Sequence, residues 1–131
     1  MTFEEALRTE LITIGELNEK VFPLTAPEGT EAPYLIYVSS RGRHDKALEG
    51  FQKSKSVSVE INVIHDRASK MRALARQVKA LIMGMEKRRI ANEGPFIEEV
   101  IFENEGTELY EHEVDLYRCV YDLTFYFEEE E

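Results

Sequence analysis

The chain is poor in the features that mark a crosslinked, membrane-spanning or phosphate-binding protein. Cys119 is its only cysteine, so no disulfide forms within the chain, and a reducing compartment fits best. No apolar run approaches the roughly 20 residues that a membrane-spanning helix needs, so we expect no membrane contact. The seven glycines stand singly, without a GxGxxG or Walker pattern, so no phosphate-binding loop is predicted.

Side chains in a pattern that indicates catalysis are also lacking. His44, His65 and His112 do not have the spacing of a helical zinc pair. Cys119 is expected on the apolar face of a strand, where it packs rather than reacts. The adjacent carboxylates in the predicted strand 96–103 would point to opposite faces, so they cannot share acid–base work. We therefore predict no catalytic residues, no cofactor site and no metal site, and no enzyme activity.

Charge is segregated along the sequence. The net charge is −10, yet residues 41–89 hold 13 basic and 5 acidic residues, whereas residues 90–131 hold 1 basic and 14 acidic. An acidic chain is a poor general binder of nucleic acid. Two interpretations stay open: either the two segments attract neighbouring copies and other partners, or both are solvated faces without a specific role.

Two segments have the periodicity of helices. Residues 2–14 begin with Thr2 and Glu5 at the spacing of a capping box. The apolar residues of this segment share one face: Phe3, Leu7, Leu11 and Ile14. Residues 67–84 follow Asp66, which we predict to be the N-cap. This second helix carries the strongest apolar stripe in the chain: Met71, Leu74, Ala75, Val78, Leu81, Ile82 and Met85.

Between and after these helices the pattern changes to that of strands. A short extended piece is predicted at 21–24, and strands are predicted at 33–40, 56–64, 96–103 and 115–127. The last strand has one unbroken apolar face: Tyr117, Cys119, Tyr121, Leu123, Phe125 and Phe127. The fold class is therefore α+β, with a mostly antiparallel or mixed sheet of about four to five strands and two helices packed on one face. We expect residues 1–131 to form a single domain.

Two segments are candidates for contacts with partners. Strand 33–40 is apolar on both faces, so it is covered on both sides by its own fold or by another subunit. Residues 41–55 are polar, basic and interrupted by glycines, and we interpret them as a long hairpin loop. A basic loop with apolar anchors suits an acidic partner, although the anchors could instead fold back on their own domain.

Four blocks of the sequence, in this order, resemble the tail-completion proteins of long-tailed bacteriophages and prophages. They are VFPLTAPEGTEAPYLIY (21–37), KALEGF (46–51), the strand–helix block 57–82 and ELYEHEVDLYRCVYDLTFYFEE (108–129). These proteins join tail to head in siphophages and are similar to the tail terminator of phage lambda. The resemblance covers nearly the whole chain, and PEGxxxPY with the later YxxxxDLYR run carries most of it.

The resemblance implies a subunit of the virion, assembled in the bacterial cytoplasm, that forms a ring, expected to be a hexamer although single copies could be monomers in solution. Such a ring caps the head-proximal end of the tail tube, stops tube growth and joins the head connector or head-closure protein. DNA would pass through it without specific binding. For this role we expect partner contacts from the loop: Arg41, Arg43, His44, Lys46, Leu48 and Phe51. Possible subunit-interface residues are Tyr34, Ile36, Arg72, Arg76, Lys79, Glu128 and Glu129.

The four glutamates that end the sequence, Glu128 to Glu131, form an acidic tail. Our hypothesis is that this tail is a charged sheet margin or channel rim that discourages strand pairing and repels DNA phosphates.

Three other functions remain possible from the sequence. The first is a head-closure or connector-adaptor protein of the phage neck. The second is a small cytosolic hydrolase or ligand-binding module with its site beneath residues 41–55. The third is a DNA-contacting factor that uses the basic residues of the second helix and those that follow it: Arg72, Arg76, Lys79 and 87–89.

Overall fold

The computed structural model describes residues 1–40, 43–47 and 50–128, with the backbone alone considered for 43–47 and 50–54. The described residues form two α-helices, one short 3-10 helix and eight strands. In chain order these are α1 (Phe3–Leu11), the 3-10 helix (Gly15–Leu17), β1 (Val21–Pro23), β2 (Tyr34–Ser39), β3 (Arg43–Ala47), β4 (Gly50–His65), α2 (Ala68–Met83), β5 (Arg88–Arg89), β6 (Phe96–Phe102), β7 (Thr107–Glu111) and β8 (Leu116–Glu128).

The two longest strands, β4 and β8, form the antiparallel centre of one sheet. They pair at 12 consecutive positions, from Ser54 opposite Glu128 to His65 opposite Tyr117. Each is flanked by two shorter strands, β3 and β2 beside β4, and β6 and β7 beside β8. β1 runs parallel to β2, and β5 pairs with β6. The sheet is therefore mixed, and the α+β class is confirmed with more strands than the four to five predicted.

The core lies between the helices and one face of the sheet. The alternation in β4 buries Val57, Val59, Ile61 and Val63, as predicted. The unbroken apolar face of β8 lines the same core, and its Cys119 is 4% exposed. The stripes of α1 and α2 close the core from the other side, with Leu7, Leu11, Leu74 and Val78 fully buried. Each such side chain contributes about 1.5–3 kcal/mol.

Residues 41–55 correct the prediction of a long loop. β3 pairs with the first part of β4, from Arg43 opposite Ser56 to Ala47 opposite Gly50, and this makes a hairpin. Lys, Asp and Gly have low strand propensity, so composition alone favours a loop here. Pairing with an adjacent strand overrides that preference because it satisfies the backbone donors and acceptors. β7 and the two-residue β5 were also missed by the sequence pattern.

The helix starts show one correct cap and one wrong one. Thr2 and Glu5 form the predicted capping box, with the Glu5 N–H donating to Thr2 Oγ1 at 3.1 Å. The N-cap of α2 is Arg67, which makes no side-chain cap, and not Asp66. The Asp66 carboxylate lies 2.8 Å from Nδ1 of the buried His65 instead. The second ring nitrogen of His65 lies 2.8 Å from Glu16 Oε2, so the imidazole joins the 3-10 helix to the β4–α2 junction.

The outer edge of β1 has its backbone groups occupied within the chain. The Val21 N–H donates to the Glu19 carbonyl at 2.9 Å, and the Val21 carbonyl accepts from Arg8 Nε at 3.1 Å. Pro23 has no N–H, and its carbonyl accepts from the Thr25 N–H at 2.7 Å. This edge therefore offers no free ladder to a further strand.

Candidate interaction surfaces

The hairpin of β3 and β4 lies at one end of the described sheet. The last described pair between β4 and β8 is Ser54 with Glu128, so residues 50–53 pair with β3 alone among the described strands. We call the segment 43–53 the arm. The structure brings four of the predicted partner-contact residues into it: Arg43, His44, Lys46 and Phe51. Arg41 and Leu48 lie outside the described residues.

The basic face of α2 meets acidic residues of its own chain. Arg72 makes a bidentate contact with the Glu108 carboxylate, with Nη2 and Nε 2.9 and 3.0 Å from its oxygens. This contact lowers the pKa of Glu108 and raises that of Arg72. Lys79 Nζ lies 3.9 Å from Glu105 Oε2 and 5.3 Å from the centre of the Phe102 ring. Part of the charge segregated in the sequence is thus paired inside the molecule.

The other predicted interface residues lie in three places. Arg76 is exposed on α2. Glu128 is exposed at the end of β8, beside the arm, whereas Glu129 lies outside the described residues. Tyr34 and Ile36 lie on β2, on the sheet face that the helices do not cover.

This second face of the sheet, which we call the outer face, is made of rows that cross four strands. One row runs through Tyr34, Ile64, Arg118 and Leu109, which are opposite one another in register. Ile64 is fully buried and Ile36 is 8% exposed, whereas Leu109 is 48% exposed. Strand 33–40 is therefore covered on both sides at Ile36, and the predicted two-sided burial is largely met within the chain.

A polar network crosses the outer face from β7 to β2. Arg118 donates from Nε to Glu111 Oε1 at 2.6 Å and from Nη1 to Asn62 Oδ1 at 3.0 Å. Asn62, which is 3% exposed, donates in turn to Glu60 Oε1 at 3.0 Å and to the Ile36 carbonyl at 3.4 Å. These bonds satisfy polar groups that burial would otherwise penalise. No pattern in the sequence indicates this network, because its residues meet only through strand pairing.

Beside this network the loop 25–32 and the outer face enclose an open groove of about 710 Å³. Its apolar lining comes mainly from Tyr34, Ile36, Val114 and Leu116. Its acidic residues are Glu28, Glu31, Asp66 and Glu111. The hydrogen bond with His65 lowers the pKa of Asp66, so this carboxyl is ionised at neutral pH. Arg118 also lines the groove, and it is already bonded to Glu111. We call this surface the acidic groove.

The described ranges contain no cluster of three His, Cys, Asp or Glu side chains that could hold a metal ion. Burial raises the pKa of the Cys119 thiol, which disfavours the thiolate. None of the helices in the described part has the length and apolar content needed to cross a membrane. Two of the basic residues that follow α2 have carboxylate neighbours, since Lys87 lies near Glu98 and Arg88 binds Glu10.

The fold is shared with a component of a virus-like particle. A chain in the virion of a native gene transfer agent particle superposes with a TM-score of 0.69 at 15% identity, covering 97% of this chain and 95% of its own. Among curated proteins none matches the chain. A family model described as "Tail completion protein gp17" matches residues 5–128. The chain therefore belongs to this tail-completion family, which makes it a structural tail component of a phage virion and confirms the resemblance found in the sequence.

Proposed function

We propose that the chain caps the head-proximal end of the tail tube as a ring of copies, ends tube polymerisation and joins the tail to the head. Its partners are then other copies of itself, the tail tube protein and the head connector. The role is one of shape and electrostatic fit, without turnover of a substrate. The match to the tail-completion family over residues 5–128 carries this proposal.

The arm supports the proposal as the element that meets a partner. A two-stranded ribbon at one end of a sheet can contact a neighbouring molecule without disturbing the core. Residues 41–55 hold five basic and two acidic residues in a chain of net charge −10. Such a local reversal of sign steers an encounter with an acidic surface and fixes its register.

The test is a double charge reversal, Arg41→Glu with Arg43→Glu. Tails of the phage that encodes the chain are assembled with each variant, and tube length and the fraction of joined particles are measured by electron microscopy. We expect the joined fraction to fall about tenfold or more, because like-charge contacts at an interface cost several kcal/mol. The matched control is Arg41→Lys with Arg43→Lys, which keeps the positive charge at both positions and should leave joining unchanged.

Two outcomes would count against parts of this proposal. If the variant with Arg41→Glu and Arg43→Glu joins heads and tails as well as wild type, this basic segment does not contact the partner. Binding of the wild-type chain to filled heads, with no binding to tail tubes, would replace tail capping by a head-closure role.

A further inference from the structure

We infer that the acidic groove receives the arm of a neighbouring copy. This inference rests on the proposed ring and names the contact that would build it. The groove is an interaction surface with one defined occupant, the segment 43–53 of a second chain.

The chemistry of the two surfaces is complementary. The groove has an apolar lining and four carboxylates, Glu28, Glu31, Asp66 and Glu111. Among these carboxylates, Glu111 is bonded to Arg118 and Asp66 to His65. The sequence of the arm includes Arg43, Lys46 and Lys53 together with the apolar Leu48 and Phe51. A basic ribbon with apolar anchors therefore matches both the charge and the lining of the groove.

The arm cannot occupy the groove of its own chain. The arm adjoins Ser54 at one end of the described β4–β8 pairing, and the groove lies at the other end, next to the row of Ile64 and Arg118. Ten residues of β4 separate Ser54 from Ile64, which is about 33 Å at about 3.3 Å per residue. Folding back would break the pairing of β4 with β8. The occupant must come from another copy.

A contact between two different surfaces is heterologous, and it repeats from copy to copy until the rotation closes a ring. Arm and groove at opposite ends of one rigid strand pair give such a contact a fixed direction. Each copy in the ring would donate one arm and accept another.

The test uses two full-length variants of opposite design. The groove variant is Glu28→Lys with Glu31→Lys, and the arm variant is Arg43→Glu with Lys46→Glu. Self-association is measured by sedimentation velocity at low ionic strength, and copies per tube end are counted with tail tubes present. We expect each variant alone to associate roughly tenfold or more weakly than wild type. Mixing the two should restore association, because each reversed groove then meets a reversed arm in alternating order.

The control is Glu93→Lys with Glu99→Lys, the same charge change at exposed positions outside the groove, and it should associate like wild type. Unaltered association of either test variant, or loss that mixing does not restore, would overturn the arm–groove contact. If such variants still cap tubes as rings, the proposed function stands without this contact. If the wild-type chain neither associates with itself nor binds tube ends, both the arm–groove contact and the proposed function are wrong.

Discussion

At the scale of single residues, the most consequential polar contact holds α1 to the chain after α2. Glu10 receives Arg88 in a bidentate pair, with Oε1 2.7 Å from Nη2 and Oε2 3.0 Å from Nη1. The Ala91 N–H donates to the same carboxylate at 2.8 Å. The Glu10 side chain is 14% exposed, so these bonds are shielded from water. The sequence gives no reason to connect residues that lie 78 positions apart.

The Glu10→Gln variant should lose about 1–3 kcal/mol of unfolding free energy at neutral pH, because a charge-assisted pair becomes a neutral contact. The bond with Arg88 lowers the pKa of Glu10 below its ordinary value of 4.5. A group whose folded pKa is depressed stabilises the fold above its unfolded pKa, and that contribution is lost as pH falls through the folded pKa. The difference between wild type and variant should therefore be constant above about pH 5.5 and shrink below pH 4.5.

Urea unfolding at a series of pH values measures this difference. Glu93→Gln is the control, because Glu93 is an exposed carboxylate nearby and its loss should change stability by less than about 0.5 kcal/mol. A difference that grows as pH falls would contradict the assignment.

At the scale of elements, α1 is fixed to the sheet by aromatic contacts. The Phe3 ring stacks on Phe127 with centroids 5.0 Å apart, and it meets Phe125 at 4.9 Å and a tilt of 58°. Phe3 is 6% exposed, and Phe125 is fully buried. The first turn of α1 therefore packs on the last residues of β8, which are more than a hundred residues away in the chain.

Replacing Phe3 by Ala should cost about 3–5 kcal/mol, because it removes the transfer energy of the ring and leaves a cavity. Denaturant unfolding followed by circular dichroism measures the loss. Phe96→Ala is the comparison, since Phe96 is 38% exposed at the start of β6 and should lose much less. Equal losses at the two positions would mean that Phe3 does not anchor the helix.

Some of these elements could be predicted from the sequence, and others could not. Helix α1 and the apolar faces of β4 and β8 were predictable, because a side that is buried along its whole length requires apolar residues at a regular spacing. β7 was not, since all but one of its residues are exposed and no alternation results. The arm has the sequence pattern of a loop, because its polar residues gain strand structure only from pairing. The acidic groove could not be predicted for a related reason. Its lining residues are far apart in the sequence and become neighbours only when the strands pair.

At the scale of the whole molecule, charge that is separated in sequence is partly rejoined in space. Arg72 and Lys79 of the basic segment reach Glu108 and Glu105 of the acidic one. Such exposed pairs contribute about 0–1 kcal/mol each, so they orient elements more than they stabilise them. The proposed arm–groove contact uses other charges, namely the basic residues in the sequence of the arm and the carboxylates that line the acidic groove.

The C-terminal glutamates belong to this scale as well. Removing residues 129–131 should leave the melting temperature within about 1 °C of wild type, because three glutamates bring no apolar side chain to the core. Thermal unfolding of the truncated chain checks this. A clear fall in melting temperature would show that the acidic tail is part of the fold and not a charged margin.

The outer edge of β1 has a consequence for the time before assembly. Its outward backbone groups are bonded within the chain, and Pro23 has no N–H to offer. Newly made subunits can therefore accumulate in an infected cell without fusing along this edge into continuous sheets. Open-ended growth by strand addition is therefore disfavoured at β1, and an assembly of limited size, such as the ring proposed above, does not compete with sheet extension along this edge.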